Sequence, residues 1–218
     1  MVCLTRGGTA PAPPPGEEAL AARLSARACD VTDEASLAAA FHAVAGRAGG
    51  LAGLVNNAGI HLTGPSEGFA TEDFAHVLAV NATGLFAASR EAFPLITARG
   101  GGLIVNLGSF FDRMGVPHNT AYTASKAAVA AITRCLAVEW AAHGVRVVNV
   151  APGYVETDLN REFLARPRIR AYIAERVPLK RPGNAGEIAR FVASLFCEDV
   201  PYLTGETIYV DGGHGIAH

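Results

Sequence analysis

The stretch GGLIVNLGS, residues 101–109, sets the frame for reading this chain. Leu103, Ile104 and Val105 follow one another without the apolar–polar alternation of a sheet that has one wet face. Such a run reads as a strand over residues 102–107 buried on both faces, the condition of a parallel sheet. It ends on Gly108 and Ser109, so a hydroxyl arrives at the strand's carboxyl end, where open α/β sheets bind their ligands. Short runs of the same character recur at residues 2–5, 26–29, 51–56, 145–150 and 207–210. Ala-rich helical patterns lie between them, at residues 17–24, 34–47, 72–97, 121–142 and 185–196. Thr32 and Asp33 precede one of these helices and Thr71 another, as capping residues do. Strand–helix–strand alternation along the chain predicts an α/β fold, a doubly wound parallel sheet in a single domain over residues 1–218. The proline cluster APAPPPG, residues 10–16, falls in a loop after the first strand.

Composition works by exclusion. Half of the 218 residues are hydrophobic and 17% are charged, a balance that suits a buried α/β domain and not a disordered chain. A net charge of −2 without clustered Lys or Arg leaves no footprint for nucleic acid. Lys126, Arg134 and Glu139 interrupt the longest Ala-rich stretch, so no membrane span is expected. The first residues lack the charged start and apolar core of a signal peptide, and a cytoplasmic protein is expected. Cys3, Cys29, Cys135 and Cys197 form no C-x-x-C pair and are expected to be buried free thiols. His214 and His218 stand four apart without a third ligand, so they read as a frayed tail with no metal.

The residues that could carry chemistry sit at strand ends and on one helix. In NTAYTASKAAVAAITRCLAVEW, residues 119–140, Tyr122 and Lys126 are four apart and project from one helical face. An ammonium beside a phenol favours the phenolate, which would bring Tyr122 nearer neutrality as a general acid or base. Alone, the pair also fits a helix-edge tyrosine with a solvated lysine. Ser109 could donate to a substrate carbonyl oxygen or simply cap a turn. LVNNAG, residues 54–59, ends another strand with two amides and a glycine that allows a ligand close to the backbone. VNVAPGYVET, residues 148–157, ends a third and presents Thr157. Asn81 lies within an apolar helical run, where a buried amide must bridge backbone groups or order water.

These segments, together with the terminal TGETIYVDGG, resemble in order and spacing the short-chain dehydrogenase/reductase family, from near Val2 to about Gly213. The resemblance implies a Rossmann-like fold and an NAD(P)(H)-dependent oxidoreductase interconverting a secondary alcohol and a ketone. It implies Tyr122 as acid/base, Ser109 as the carbonyl-orienting hydroxyl, Lys126 on the nicotinamide ribose and Asn81 in a water-linked proton relay. Asp30 and Val31 match the adenine-contacting pair, and Asn57, Ala58 and Gly59 the adenosine-side loop. Pro152, Gly153, Val155 and Thr157 match the strand end that meets the nicotinamide carboxamide. Arg6 stands where the family chooses between cofactors. An arginine there pairs with the extra phosphate, so NADP(H) is favoured over NAD(H), unless Arg6 is only a surface residue.

The resemblance also implies a glycine-rich phosphate loop about one βα unit before Arg6, and TRGGTA lacks its spacing. Residues 2–5 then match the family's second strand, and the first strand, loop and helix are expected to be absent from this sequence, through an upstream start or an altered sheet. In the strand order 3-2-1-4-5-6 the gap falls between the strands at residues 2–5 and 51–56. Unburying several large apolar side chains at about 1.5–3 kcal/mol each would rival a domain's net stability of roughly 5–15 kcal/mol. Two functions therefore stand side by side: the oxidoreductase, and a cofactor-deficient interaction protein. A 3-oxoacyl thioester, sugar, steroid-like or polyketide-type carbonyl are all open as substrate. Substrate choice falls on residues 158–183, whose Arg161, Arg166, Arg168 and Arg170 could face an anion or form a solvated lid. A homotetramer or dimer through the helices at residues 72–97 and 121–142 is implied as well.

Overall fold

Leu103 and Val105 point one way from their strand and Ile104 the other, and each side meets its own helical layer. The computed structural model describes residues 1–13, 18–48, 50–157, 160–198 and 200–217. Its central sheet runs β3 (Gly53–Asn56), β4 (Gly102–Leu107), β5 (Val145–Pro152) and β8 (Thr207–Val210), in that order and parallel throughout. On one face Ile104, Val145 and Val147 pack with Leu37 and Phe41 of α1 (Glu34–Ala48), Ala88, Ala92 and Ile96 of α3 (Gly84–Thr97) and Leu136 of α4 (Thr120–Trp140). On the other, Leu103, Val105, Val148 and Val150 meet Ile188, Phe191, Val192 and Leu195 of α7 (Ala185–Cys197). Burial on both faces is why these strands carry unbroken apolar runs.

The parallel sheet is not one ladder. β1 (Val2–Thr5) pairs only with β2 (Ser25–Ala28), and β3 pairs only with β4, so among the described residues the facing edges of β1 and β3 have no strand partner. Val55 on β3 is 42% exposed. The interruption falls between the two strands flanking the expected gap. Side chains hold the smaller piece on instead, through Leu4 and Val31 against the main core.

Several local expectations are corrected. The segment at residues 17–24 contains a 3-10 helix, Glu18–Arg23, with no buried residue; without an apolar stripe it has nothing to anchor a regular helix. The helix expected at residues 72–97 does run unbroken from Thr71 to Thr97; what the sequence did not show is a π-turn (Ala79–Thr83) inside it, between α2 (Thr71–Leu78) and α3. Thr71 opens α2 without capping it, since Ala70 occupies the cap. Asp33 does cap, accepting from the amides of Ala35 and Ser36. Residues 158–183 hold α5 (Arg161–Ala165) and α6 (Pro167–Arg176), pinned at their ends by β6 (Val155–Glu156) pairing with β7 (Gly183–Asn184). Leu164, Ile173 and Val177 give this excursion a small core of its own. Of the cysteines only Cys29 is buried; Cys135 and Cys197 are exposed. His214 is not frayed: its buried ring packs edge-on against Phe110 and Tyr154, while His218 lies outside the described residues. Among the described residues no helix is long and apolar enough to cross a membrane.

The two pieces meet closely at Gly84. A Cβ there would stand 2.7 Å from the Val31 carbonyl oxygen. Gly84→Ala gains at most about 1 kcal/mol of helix propensity and incurs about 1–3 kcal/mol of overpacking. The variant should therefore lose net stability in urea melts; a gain would mean that this contact does not constrain the fold.

Candidate active site

Polar side chains stand at one level of the sheet. Asn56, Asn106, Asn149 and Thr207 are register partners on β3, β4, β5 and β8. The Asn56 amide donates to Asn106 Oδ1 and to Ser89 Oγ on α3, both at 2.9 Å, and Asn106 donates to Thr133 Oγ1 on α4 at 2.9 Å. Asn149 donates to Thr207 Oγ1 at 3.1 Å. Sequence reasoning missed this row, though a signal was present: each of the three strands places Asn directly after Val, at Val55, Val105 and Val148. The row fixes how far each strand extends before its site residues emerge.

Just beyond it, Lys126 is buried on α4 and its ammonium donates to the Leu107 carbonyl at 2.7 Å. The other two N–H bonds have no acceptor among the described residues. Burial brings this lysine down to about 8. Nζ lies 5.5 Å from the centre of the Tyr122 ring. Burial pushes the Tyr122 phenol above its ordinary value, and the hydroxyl of Ser109 draws it part of the way back. The lowering expected from lysine's charge is thus overruled by desolvation in the protein alone. Ser109 is itself buried and caps the short turn Phe110–Arg113, accepting from the Phe111 amide at 3.3 Å.

Asn81 sits inside the π-turn, 1% exposed. Its Oδ1 accepts from the Ile60 amide at 2.8 Å, and its Nδ2 donates to the Ile60 carbonyl at 2.9 Å and to Ser125 Oγ at 3.0 Å. The side-chain amide is thus spent on clamping the loop after β3. Gly59 rests against the same group: a Cβ there would lie 3.4 Å from Asn81 Oδ1 and 3.8 Å from Lys126 Nζ. Asn81, Gly59, Ser109, Tyr122 and Lys126 therefore form one cluster. Asn57 and Ala58 are exposed on the loop that leads into it. Pro152 and Gly153 leave β5 beside it, Gly153 donating to the Val210 carbonyl, with Val155 on β6 and Thr157 exposed beyond. Arg6 and Asp30 belong to the smaller piece. Asp30 accepts from both the amide and hydroxyl of Thr32, and those bonds hold its carboxyl below the usual range. Val31 is half-buried against Gly84.

With this geometry in view, the likeness to known proteins is specific. A family model described as enoyl-(acyl carrier protein) reductase matches residues 15–215. The chain belongs to the short-chain dehydrogenase/reductase family. It is 43% identical over 167 residues to a glucose 1-dehydrogenase of Gluconobacter oxydans, covering 76% of this chain but only 62% of that protein, under two thirds of its length. A galactitol 2-dehydrogenase of Cereibacter sphaeroides is 40% identical over 203 residues, 91% of this chain and 77% of its own. The crystal structure of a gluconate 5-dehydrogenase from Burkholderia cenocepacia, in complex with NADP and tartrate, superposes with a TM-score of 0.86 at 29% identity, over 100% of this chain and 86% of that one.

The short-chain dehydrogenase/reductase family binds a nicotinamide dinucleotide, and the residues present fit one end of it. The buried Lys126 ammonium, with two unused donors beside the open backbone at Gly59, suits a vicinal ribose diol. The turn after β1 suits a pyrophosphate poorly. Gly8 N donates to the Thr5 carbonyl and Thr9 N to Thr5 Oγ1, so two of its amides are already engaged.

Lys126 also marks the stability curve. A lysine lowered to about 8 in the folded state and ordinary when unfolded binds fewer protons folded than unfolded between those values. Stability should therefore rise with pH from about 8 towards 10.5, where the charge need no longer be buried. Chemical denaturation of wild type and Lys126→Met across that range should show wild type gaining on the variant; parallel curves would contradict a buried, depressed lysine.

Proposed function

We propose that this chain is an NAD(P)(H)-dependent oxidoreductase that interconverts a secondary alcohol and a ketone, with a sugar or sugar alcohol as substrate. The observation that carries the reading is the cluster of buried Ser109 and Lys126 with half-buried Tyr122, with ammonium donors left for a ligand. The dinucleotide, when bound, supplies or accepts the hydride. Ser109 orients the substrate oxygen, and Tyr122 gives that oxygen its proton in reduction or removes it in oxidation. Lys126 holds the ribose hydroxyls and keeps positive charge beside the phenol. Asn81 acts as a positioning residue that fixes Ile60 and Gly59, since both its N–H bonds are used within the protein. Pro152, Gly153, Val155 and Thr157 face the carboxamide, Asn57 to Gly59 the adenosine side, and Asp30 and Val31 the adenine. The polyol substrate is supported by the glucose and galactitol dehydrogenases to which the chain is similar.

Removing the phenolic oxygen should remove the chemistry and little else. Tyr122→Phe should lower kcat for polyol oxidation by at least 100-fold, roughly the smallest general-acid/base contribution, with the melting temperature nearly unchanged. Because burial holds the phenol above its ordinary value, oxidation by wild type should quicken as pH rises into the alkaline range. Ketone reduction, which needs the protonated phenol, should not. Oxidation that is flat with pH, or a Tyr122→Phe variant that retains activity, refutes the assignment.

NADP(H) is the favoured cofactor because Arg6 is exposed and, although its charge reaches Asp30, makes no direct ion pair among the described residues, which leaves its guanidinium able to take a phosphate. Homo-oligomers through α3 and α4 are part of the same proposal, supported by Phe86 at 41% and Val138 at 80% exposure on those helices. Titrating NADPH and NADH into one purified sample, with its mass read by light scattering, should give tighter NADPH binding by a dimer or tetramer. A folded chain that binds neither favours the cofactor-deficient interaction protein.

A further inference from the structure

His61 was not among the residues expected at the site, yet its ring lies over Tyr122, centroids 4.2 Å apart and tilted by 38°, and edge-on to Phe111 at 6.4 Å. Its backbone is set from both sides. The preceding residue, Ile60, has its amide and carbonyl gripped by Asn81. The loop beyond is tied to the start of α4, Gly64 N donating to the His118 carbonyl at 3.0 Å and Ser66 sharing a hydrogen bond with Thr120 at 2.7 Å.

The same ties decide the imidazole's tautomer. Asn119 Nδ2 donates to the Pro117 carbonyl at 2.7 Å, and a carbonyl can only accept, so the Asn119 amide is oriented with Oδ1 towards His61. His61 Nε2 therefore carries the proton and donates to Oδ1. Nδ1 is left as a bare acceptor, with no partner among the described residues, on an exposed ring in contact with Tyr122 and Phe111.

We propose that His61 is a specificity-determining residue that reads a second hydroxyl of the substrate: Nδ1 accepts a hydrogen bond from an O–H next to the reacting carbinol. This rests on the oxidoreductase reading and narrows it to vicinal diols and their hydroxyketones. A fixed acceptor beside the acid/base rewards a neighbouring hydroxyl and offers nothing to a simple alcohol. Asn119 is the positioning residue that holds this tautomer, with the lone pair on Nδ1.

The test compares threitol with sec-butanol, four-carbon secondary alcohols with and without a neighbouring hydroxyl. Wild type should prefer threitol in kcat/KM, and His61→Phe, which keeps the ring over Tyr122, should lose about three- to tenfold of that preference, the worth of one neutral hydrogen bond. The change should fall on KM for threitol and be smaller for sec-butanol. Nitrogen NMR of the wild-type imidazole provides a readout without turnover: Nε2 protonated, and an Nδ1 signal that moves on adding threitol but not sec-butanol. A chain that turns over neither alcohol counts against the oxidoreductase reading, and against this inference with it, whatever the Nδ1 signal does. Turnover with equal preference in wild type and His61→Phe, or a protonated Nδ1, overturns the inference and leaves that reading intact.

Discussion

A row of buried amides holds this sheet in register. Asn106 and Asn149 are buried, and half-buried Asn56 and Thr207 continue the row across four strands. A slip of one residue would turn a strand's members to the opposite face. Each amide group left without a partner would cost about 1–3 kcal/mol. The row therefore sets the height at which the β3 loop, Ser109 and the Pro152–Gly153 turn leave the sheet. Ser89 and Thr133 carry it into α3 and α4, which ties the rotation of α4, and with it Tyr122 and Lys126, to the strands. Its one break is at Asn149 Oδ1, which has no partner among the described residues and lies where a Cβ on Gly108 would intrude at 2.4 Å. That crowding accounts for a glycine directly before the site serine.

Burial governs the electrostatics of the cluster as well. It pushes the phenol up and the ammonium down, so both groups are driven towards their neutral forms. A ligand that brings hydroxyl acceptors to the unused lysine donors would offset part of that cost. The site is preorganised in geometry more than in charge.

The sheet was legible because its cause is local. Strands β1, β4 and β8 have the boundaries their apolar runs suggest, and α4 and α7 follow their patterns to within a residue or two. Tyr122, Ser109 and Lys126 were legible because chemistry fixes their spacing. The π-turn that carries Asn81 was not, since it needs one extra residue and leaves no mark on an apolar period. His61 was equally hidden. Its importance comes from contacts with Asn119 and Tyr122, some sixty positions along the chain, which no local pattern reports. The 3-10 segment Glu18–Arg23 shows the opposite error, a helical pattern without a core to receive it.

The interrupted ladder makes this a molecule in two mechanical parts. Arg6 and Asp30 ride on a two-stranded ribbon, while Ser109, Tyr122 and Lys126 are built into the four-stranded sheet. Among the described residues no strand ladder joins the two parts; contact is made by side chains such as Leu4 and Val31 against the main core and by the Val31 backbone against Gly84. Packing resists separation but tolerates small sliding, whereas a hydrogen-bonded ladder resists both. A dinucleotide long enough to touch both parts would act as a splint between them, and part of its binding energy would go into holding the ribbon at a fixed distance from the sheet.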